Sequence, residues 1–144
     1  MAPLAGPLGR FMERALPLDA GFDAVVAVPL HWRKKWQRGF NQAELLARHI
    51  SRRRHVPLVD ALRRRKTAGV QASLSLAARR RNVAGAFSLK AGADLAGKRI
   101  LLIDDVMTTG ATGSACAAAL KRGGATSVSL LTLARVDRRW TDQK

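Results

Sequence analysis

The sequence predicts an α/β fold, a parallel β-sheet flanked by helices. Three observations carry this. Ala24–Val28 and Arg99–Ile103 are short strand-like runs with the apolar continuity of strands buried on both faces. Ser127–Ala134 is a third, built from β-branched residues and leucines. Helix-forming segments lie between the runs, and strands alternating with helices imply right-handed crossovers. A chain of 144 residues, 47% of them hydrophobic, supports one domain with its own core.

Taken in order, Met1–Leu18, with Pro3, Pro7 and Pro17, reads as a connector, and the connector is placed over residues 1–21. Ala24–Val28 alternates small and β-branched residues and is closed by Pro29. Asn41 can cap a helix with Glu44 at its third position, a capping-box variant. Leu45, Leu46, His49 and Ile50 then recur at helical spacing up to Arg54. Val56–Val59 is a short strand candidate. Arg63–Gly85 is polar, basic and weakly patterned. Its few large apolar residues are Val70, Leu74, Leu76 and Val83, so it reads as a long mobile loop serving as a lid. Ala86–Leu89 is a strand candidate, Ala91–Lys98 a connection and Arg99–Ile103 the central strand. Ser114–Arg122 has high helix propensity and is stopped by Gly123-Gly124. Ser127–Ala134 is the last strand, and residues 137–144 a frayed tail. The chain has no internal repeats.

The most informative segment is Arg99–Ser114, RILLIDDVMTTGATGS. An apolar strand runs into two adjacent carboxylates, Asp104 and Asp105, then into a turn of small residues, then into a helix. The first amides of a helix lack intrahelical partners, and its dipole favours an anion. Gly110 permits positive φ and close backbone approach, and the threonine hydroxyls add donors. No lysine sits in the loop and the spacing GxxxxGK[ST] is absent, which excludes a triphosphate P-loop. The acids lie at the carboxyl end of a strand, where open α/β sheets bind ligands. Carboxylates accept hydrogen bonds from a vicinal diol such as that of ribose, and they are hard ligands for Mg²⁺. A simple acidic helix cap would need one Asp; two acids followed by TTGAT argue for a sugar phosphate.

Charge is the second strong feature. There are 26 Lys and Arg against 10 Asp and Glu, a net charge of +16. Fifteen of the basic residues fall between His31 and Arg81, opposed only by Glu44 and Asp60. Such clustering draws polyanions, either a pyrophosphate-bearing substrate or nucleic acid. Codon bias explains arginine in preference to lysine but not the shortage of acids. No stretch approaches the ~20 apolar residues that span a bilayer. The first residues lack a continuous apolar signal core, so the expected compartment is the cytoplasm, with no membrane partner. The single cysteine, Cys116, cannot build a zinc site or an internal disulfide, and it reads as a small apolar residue on a buried helix face.

The segment containing Asp104-Asp105 and TTGAT resembles the 5-phosphoribosyl-1-pyrophosphate (PRPP) signature of type I phosphoribosyltransferases. VPLHWRKKWQRGFNQAELLAR (Val28–Arg48) and ARRRNVAGAF (Ala78–Phe87) resemble blocks of the ComF/GntX family, phosphoribosyltransferase-like proteins linked to competence for DNA uptake. The resemblance covers about Phe22 to Val136 and implies a type I phosphoribosyltransferase domain over residues 22–136. It also implies roles. Asp104 and Asp105 would be the catalytic acids on the ribose hydroxyls, carrying Mg²⁺ through substrate or water. Thr108, Thr109, Gly110, Ala111 and Thr112 would wrap the 5′-phosphate. Leu30, His31, Trp32 and Arg33, with Lys34 and Lys35, would form the pyrophosphate loop. One of Arg79, Arg80 and Arg81, at the end of the mobile loop (63–85), would face the ligand. His31 is equally a packing residue or an acid–base group. Trp32 and Trp36 either stack on a base or pack against the domain.

The implied reaction displaces pyrophosphate from the ribose anomeric carbon with a nitrogen nucleophile. No signature in the sequence names the acceptor. Two functions stay open: a Mg²⁺-dependent transferase using PRPP, or a related binding protein acting on single-stranded nucleic acid during DNA uptake. A homodimer is the other candidate assembly. ComF proteins usually carry an N-terminal cysteine-rich segment resembling a zinc ribbon, and the lone Cys116 departs from that pattern.

Overall fold

The computed structural model describes residues 4–30, 39–65, 75, 77–78, 81, 83, 85–107 and 109–135. Among the described residues the named elements are, in order, α1 (Ala5–Glu13), β1 (Ala24–Ala27), α2 (Gln42–Arg54), β2 (Leu62–Arg64), β3 (Phe87–Leu89), β4 (Arg99–Met107), α3 (Ala111–Arg122) and β5 (Ser127–Arg135). The main sheet is parallel in the order β1-β4-β5, with Ala27 beside Ile103 and Ile103 beside Leu131. β4 is the central strand, as the sequence predicts. A separate antiparallel pair, β2-β3, sets Arg64 beside Phe87.

Strand alternation divides the core into two layers. Ala24, Val26, Ile100 and Leu102 point to one face, against Ala115, Cys116, Ala119 and Leu120 of α3 and Leu62 and Phe87 of the hairpin. Val25, Leu101 and Ile103 point to the other, against Leu46, Ala47 and Ile50 of α2 and Met12 of α1. Each fully buried leucine or isoleucine contributes roughly 1.5–3 kcal/mol. A strand buried on both faces tolerates no polar residue, which explains the unbroken run Ile100–Ile103.

α2 starts where the sequence places it. The Asn41 side chain accepts the Ala43 N–H at 3.2 Å and donates to the Val28 carbonyl at 3.1 Å, tying the helix start to the end of β1. Glu44 does not close a capping box; its carboxylate pairs with Arg48 at 2.9 Å, four residues on. At the opposite sheet end, Asp23 accepts the Arg99 backbone N–H at 2.8 Å and pairs with its guanidinium, aligning β1 with β4.

Four expectations are corrected. The stretch expected as connector carries α1, because Leu8 and Met12 pack with the α2 layer. Val56–Val59 forms only an isolated parallel bridge, Leu58 with Val25, since Pro57 has no N–H to donate to a ladder. The long loop begins later than Arg63, because Leu62–Arg64 pairs with β3. α3 begins at Ala111 rather than Ser114, so Ala111 and Thr112 form its first turn. The tail 137–144 lies outside the described residues.

Candidate active site

Ile100–Ile103 carries β4 across the core, and the strand continues through Asp104 and Asp105 to Met107. The acids therefore sit on a strand rather than in the loop after it. By alternation the Cβ of Asp104 follows Ile100 and Leu102 toward the α3 side and that of Asp105 follows Leu101 and Ile103, but at the strand end the two carboxyls stay within hydrogen-bonding reach of each other. The Asp105 N–H donates to Asp104 Oδ1 at 2.9 Å, and the Val106 N–H donates to Asp105 Oδ1 at 2.8 Å. Burial pushes the Asp104 carboxyl up from 3.8 to about 6; the adjacent Asp105 carboxyl adds to the rise, and the Asp105 N–H opposes it. A cation or hydroxyl donor placed on this pair relieves that penalty.

The turn beyond Met107 meets the start of α3. Gly110 is the N-cap residue, at φ 79° and ψ −1°, a left-handed conformation that glycine enters without a Cβ clash. Thr109 Oγ1 accepts the Ala111 N–H at 3.3 Å, and the Gly110 carbonyl accepts the Ser114 N–H at 2.9 Å. The amides of Thr112 and Gly113 belong to the first helical turn, where no intrahelical carbonyl is available. Gly113 lets α3 approach β5: an added Cβ there would stand 2.7 Å from Leu130 Cδ2. The acids and the start of α3 thus belong to one strand–turn–helix unit.

β1 delivers its exit beside the acids. Val28 N–H donates to the Ile103 carbonyl at 2.9 Å, so Pro29 and Leu30 emerge one strand from Asp104. Leu30 lines a cleft of about 320 Å³ with Asn41, Glu44, Arg48, Asp60 and Lys90. Asn41, which anchors this exit, is recognisable in the sequence only as a helix cap. Arg81 is exposed, and no ion pair joins it to Asp104 or Asp105 among the described residues. His31, Trp32, Arg33, Arg79, Arg80 and Thr108 lie outside the described residues.

Sequence reasoning assigns Arg64 no role of its own. Its guanidinium lies 5.3 Å from the Phe87 ring centroid, and its charge, like that of Asp104, is felt by Cys116. Pairing of β2 with β3 brings it there, and three consecutive arginines in the sequence hide which one turns inward. Burial, with Asp104 nearby, pushes the Cys116 thiol up to about 12. Cys116 is therefore a packing residue, as the sequence suggests. Among the described residues there is no cluster of three or more His, Cys, Asp or Glu able to cage a metal ion, and no helix long and apolar enough to cross a membrane.

Residues 37–144 match the phosphoribosyl transferase domain family. The chain is 39% identical over 114 residues to DNA utilization protein YhgH of Escherichia coli O157:H7, covering 78% of this chain and 49% of that protein. It is 36% identical over 115 residues to competence protein F of Haemophilus influenzae, covering 78% and 50%. The chain thus spans about half the length of these curated relatives. Among solved structures, adenine phosphoribosyltransferase from Thermoanaerobacter pseudethanolicus superposes with a TM-score of 0.64 at 18% identity, over 99% of this chain and 76% of that one. That likeness is one of fold.

Proposed function

The chain belongs to the phosphoribosyl transferase domain family, and from that membership, together with its likeness to competence protein F, we propose that it is a ComF-type protein that binds PRPP with Mg²⁺ and transfers the phosphoribosyl group to a nitrogen acceptor, releasing pyrophosphate. One observation carries the proposal: the half-buried Asp104-Asp105 pair stands near the carboxyl end of β4, with four residues between it and the left-handed Gly110 that opens α3. The carboxylates accept the ribose 2′- and 3′-hydroxyls, while Thr109, Thr112 and the first amides of α3 receive the 5′-phosphate. Fixing the ring at both ends orients the anomeric carbon, and orientation supplies much of the catalysis in such a displacement. Two hard carboxylates without a third protein ligand among the described residues suit Mg²⁺, which retains water and substrate oxygens. The ion, when bound, neutralises charge on the departing pyrophosphate.

Calorimetry with PRPP and Mg²⁺ tests this reading. Binding is expected, and Asp104→Asn or Asp105→Asn is expected to weaken it sharply. Unchanged affinity in folded variants would overturn the assignment.

A second reading, single-stranded DNA handling, is favoured by the relatives' names and by exposed Arg52, Arg53, Arg63 and Arg65. Its test is the salt dependence of oligonucleotide binding. Arg52→Ser and Arg53→Ser, if each removes a cation from a DNA phosphate, should each reduce the log–log slope by roughly one.

A further inference from the structure

Two chambers open at the amino end of the main sheet, on the α1–α2 side. One, of about 500 Å³, lies between the last turns of α1 and α2, where Arg10, Arg14, Arg53 and Arg54 surround the single acid Glu13. The other, of about 290 Å³, has apolar walls that include Phe22, Val25, Ile50, Val56 and Leu101. Leu16, Leu18 and Arg54 line both, so the chambers are two halves of one hollow. Its size is that of a small-molecule site, about 300–1,000 Å³. Val25 and Leu101 are register partners, and β4 carries Asp104 three residues beyond Leu101, toward its carboxyl end. The hollow and the acids thus open at opposite ends of the sheet.

Three features define what fits. Helix dipoles welcome cations at helix carboxyl ends, but four arginines facing one carboxylate around an open chamber exceed that need and call for an anion. Glu13 pairs with Arg53 and Arg54 at 3.3 and 3.2 Å, while Arg10 and Arg14 have no acidic partner among the described residues. At the seam of the two halves, Arg54 Nε is buried without a hydrogen-bond partner among the described residues, a donor that a phosphate oxygen would satisfy. On the wall of the apolar half, the N–H groups of Gly21 and Phe22 donate to no backbone carbonyl among the described residues. A flat heteroaromatic ring offers both a face to Phe22 and an edge to these amides, whereas an acyl chain would leave the amides unpaired.

We propose that the hollow binds a nucleoside phosphate. Its phosphates lie among Arg10, Arg14, Arg53 and Arg54, and its base packs against Phe22 and Ile50 at the Gly21-Phe22 peptide edge. Arginine matches phosphate oxygens with paired donors. The Arg53–Glu13 pair, with the Arg53 side chain 59% exposed, contributes little and exchanges readily for phosphate. This site is separate from the Asp104-Asp105 pair, so it holds whether or not PRPP binds there. The same base-plus-phosphate unit occurs free or within a single strand, and titration separates the two.

Calorimetry of the nuclease-treated 144-residue chain with ADP, adenosine, inorganic pyrophosphate and single-stranded oligothymidylate tests the proposal. ADP should bind at least about tenfold more tightly than adenosine or pyrophosphate, because it alone fills both halves. Arg14→Ser and Leu18→Glu, both at exposed positions, should each weaken ADP binding by about tenfold and leave the thermal melt unchanged. Arg14→Lys, which keeps the charge, should restore part of the loss. Asp104→Asn should leave ADP binding intact, and PRPP with Mg²⁺ should not displace ADP, so a failure of the PRPP assignment reads separately. Displacement of ADP by oligothymidylate upholds the site and assigns its ligand to a single strand; coexistence upholds it for a free nucleotide. Pyrophosphate binding as tightly as ADP, ADP binding indifferent to both Arg14→Ser and Leu18→Glu, or displacement of ADP by PRPP overturns the proposal.

Discussion

Replacing Asp104 by Asn should stabilise the unliganded protein, and the gain should depend on pH in a defined direction. The carboxyl sits at about 6 in the folded state against 3.8 for an unperturbed group. The folded state therefore holds the proton more tightly than the unfolded chain. This group's contribution to stability is most favourable below 3.8 and is lost as pH rises through 6. At about 1.4 kcal/mol per pH unit, the full displacement corresponds to about 3 kcal/mol; partial exposure of the pair and solvent relaxation reduce this to about 1–3 kcal/mol. Asn keeps an oxygen to accept the Asp105 N–H, fills the same volume and carries no charge to desolvate. Urea unfolding of wild type and Asp104→Asn, without Mg²⁺ or phosphate, is the assay. The variant should be more stable at about pH 8, and the two curves should converge near about pH 4. A variant less stable at the higher pH, or a difference that ignores pH, would refute the reasoning. A stability gain coupled to loss of ligand binding is the expected mark of a strained functional site.

Gly110→Val should cost about 1–2 kcal/mol, because a side chain at φ 79° meets its own backbone rather than a crowded surrounding; the nearest atom to an added Cβ is Met107 Sδ at 3.8 Å. Gly110→Asn, which tolerates the left-handed region better, should retain more PRPP affinity than Gly110→Val, as calorimetry can establish. Cys116, fully buried with its thiol pushed up to about 12, should resist a disulfide reagent in the native protein and react only as the chain unfolds. Its rate of labelling in denaturant should match unfolding followed by circular dichroism.

The sequence alone determined the parallel α/β class, the central strand, the start of α2 at Asn41 and the identity of the acids and the Gly110 turn. These are legible because each rests on a local cause: an apolar run, a side-chain cap, a residue that alone accepts positive φ. Family membership was legible for the same reason, since Asp104-Asp105 and TTGAT lie within nine consecutive residues. Tertiary structure decided what depends on distant partners. α1 was invisible because Pro7 and two glycines weaken its propensity, and only packing of Leu8 and Met12 against the α2 layer holds it. β2 was hidden within a basic stretch because a three-residue strand exists only through its pairing with β3, twenty-odd residues on. The rise of the Asp104 carboxyl likewise depends on burial beneath neighbouring elements, and no spacing along the chain encodes how much water a neighbouring strand excludes.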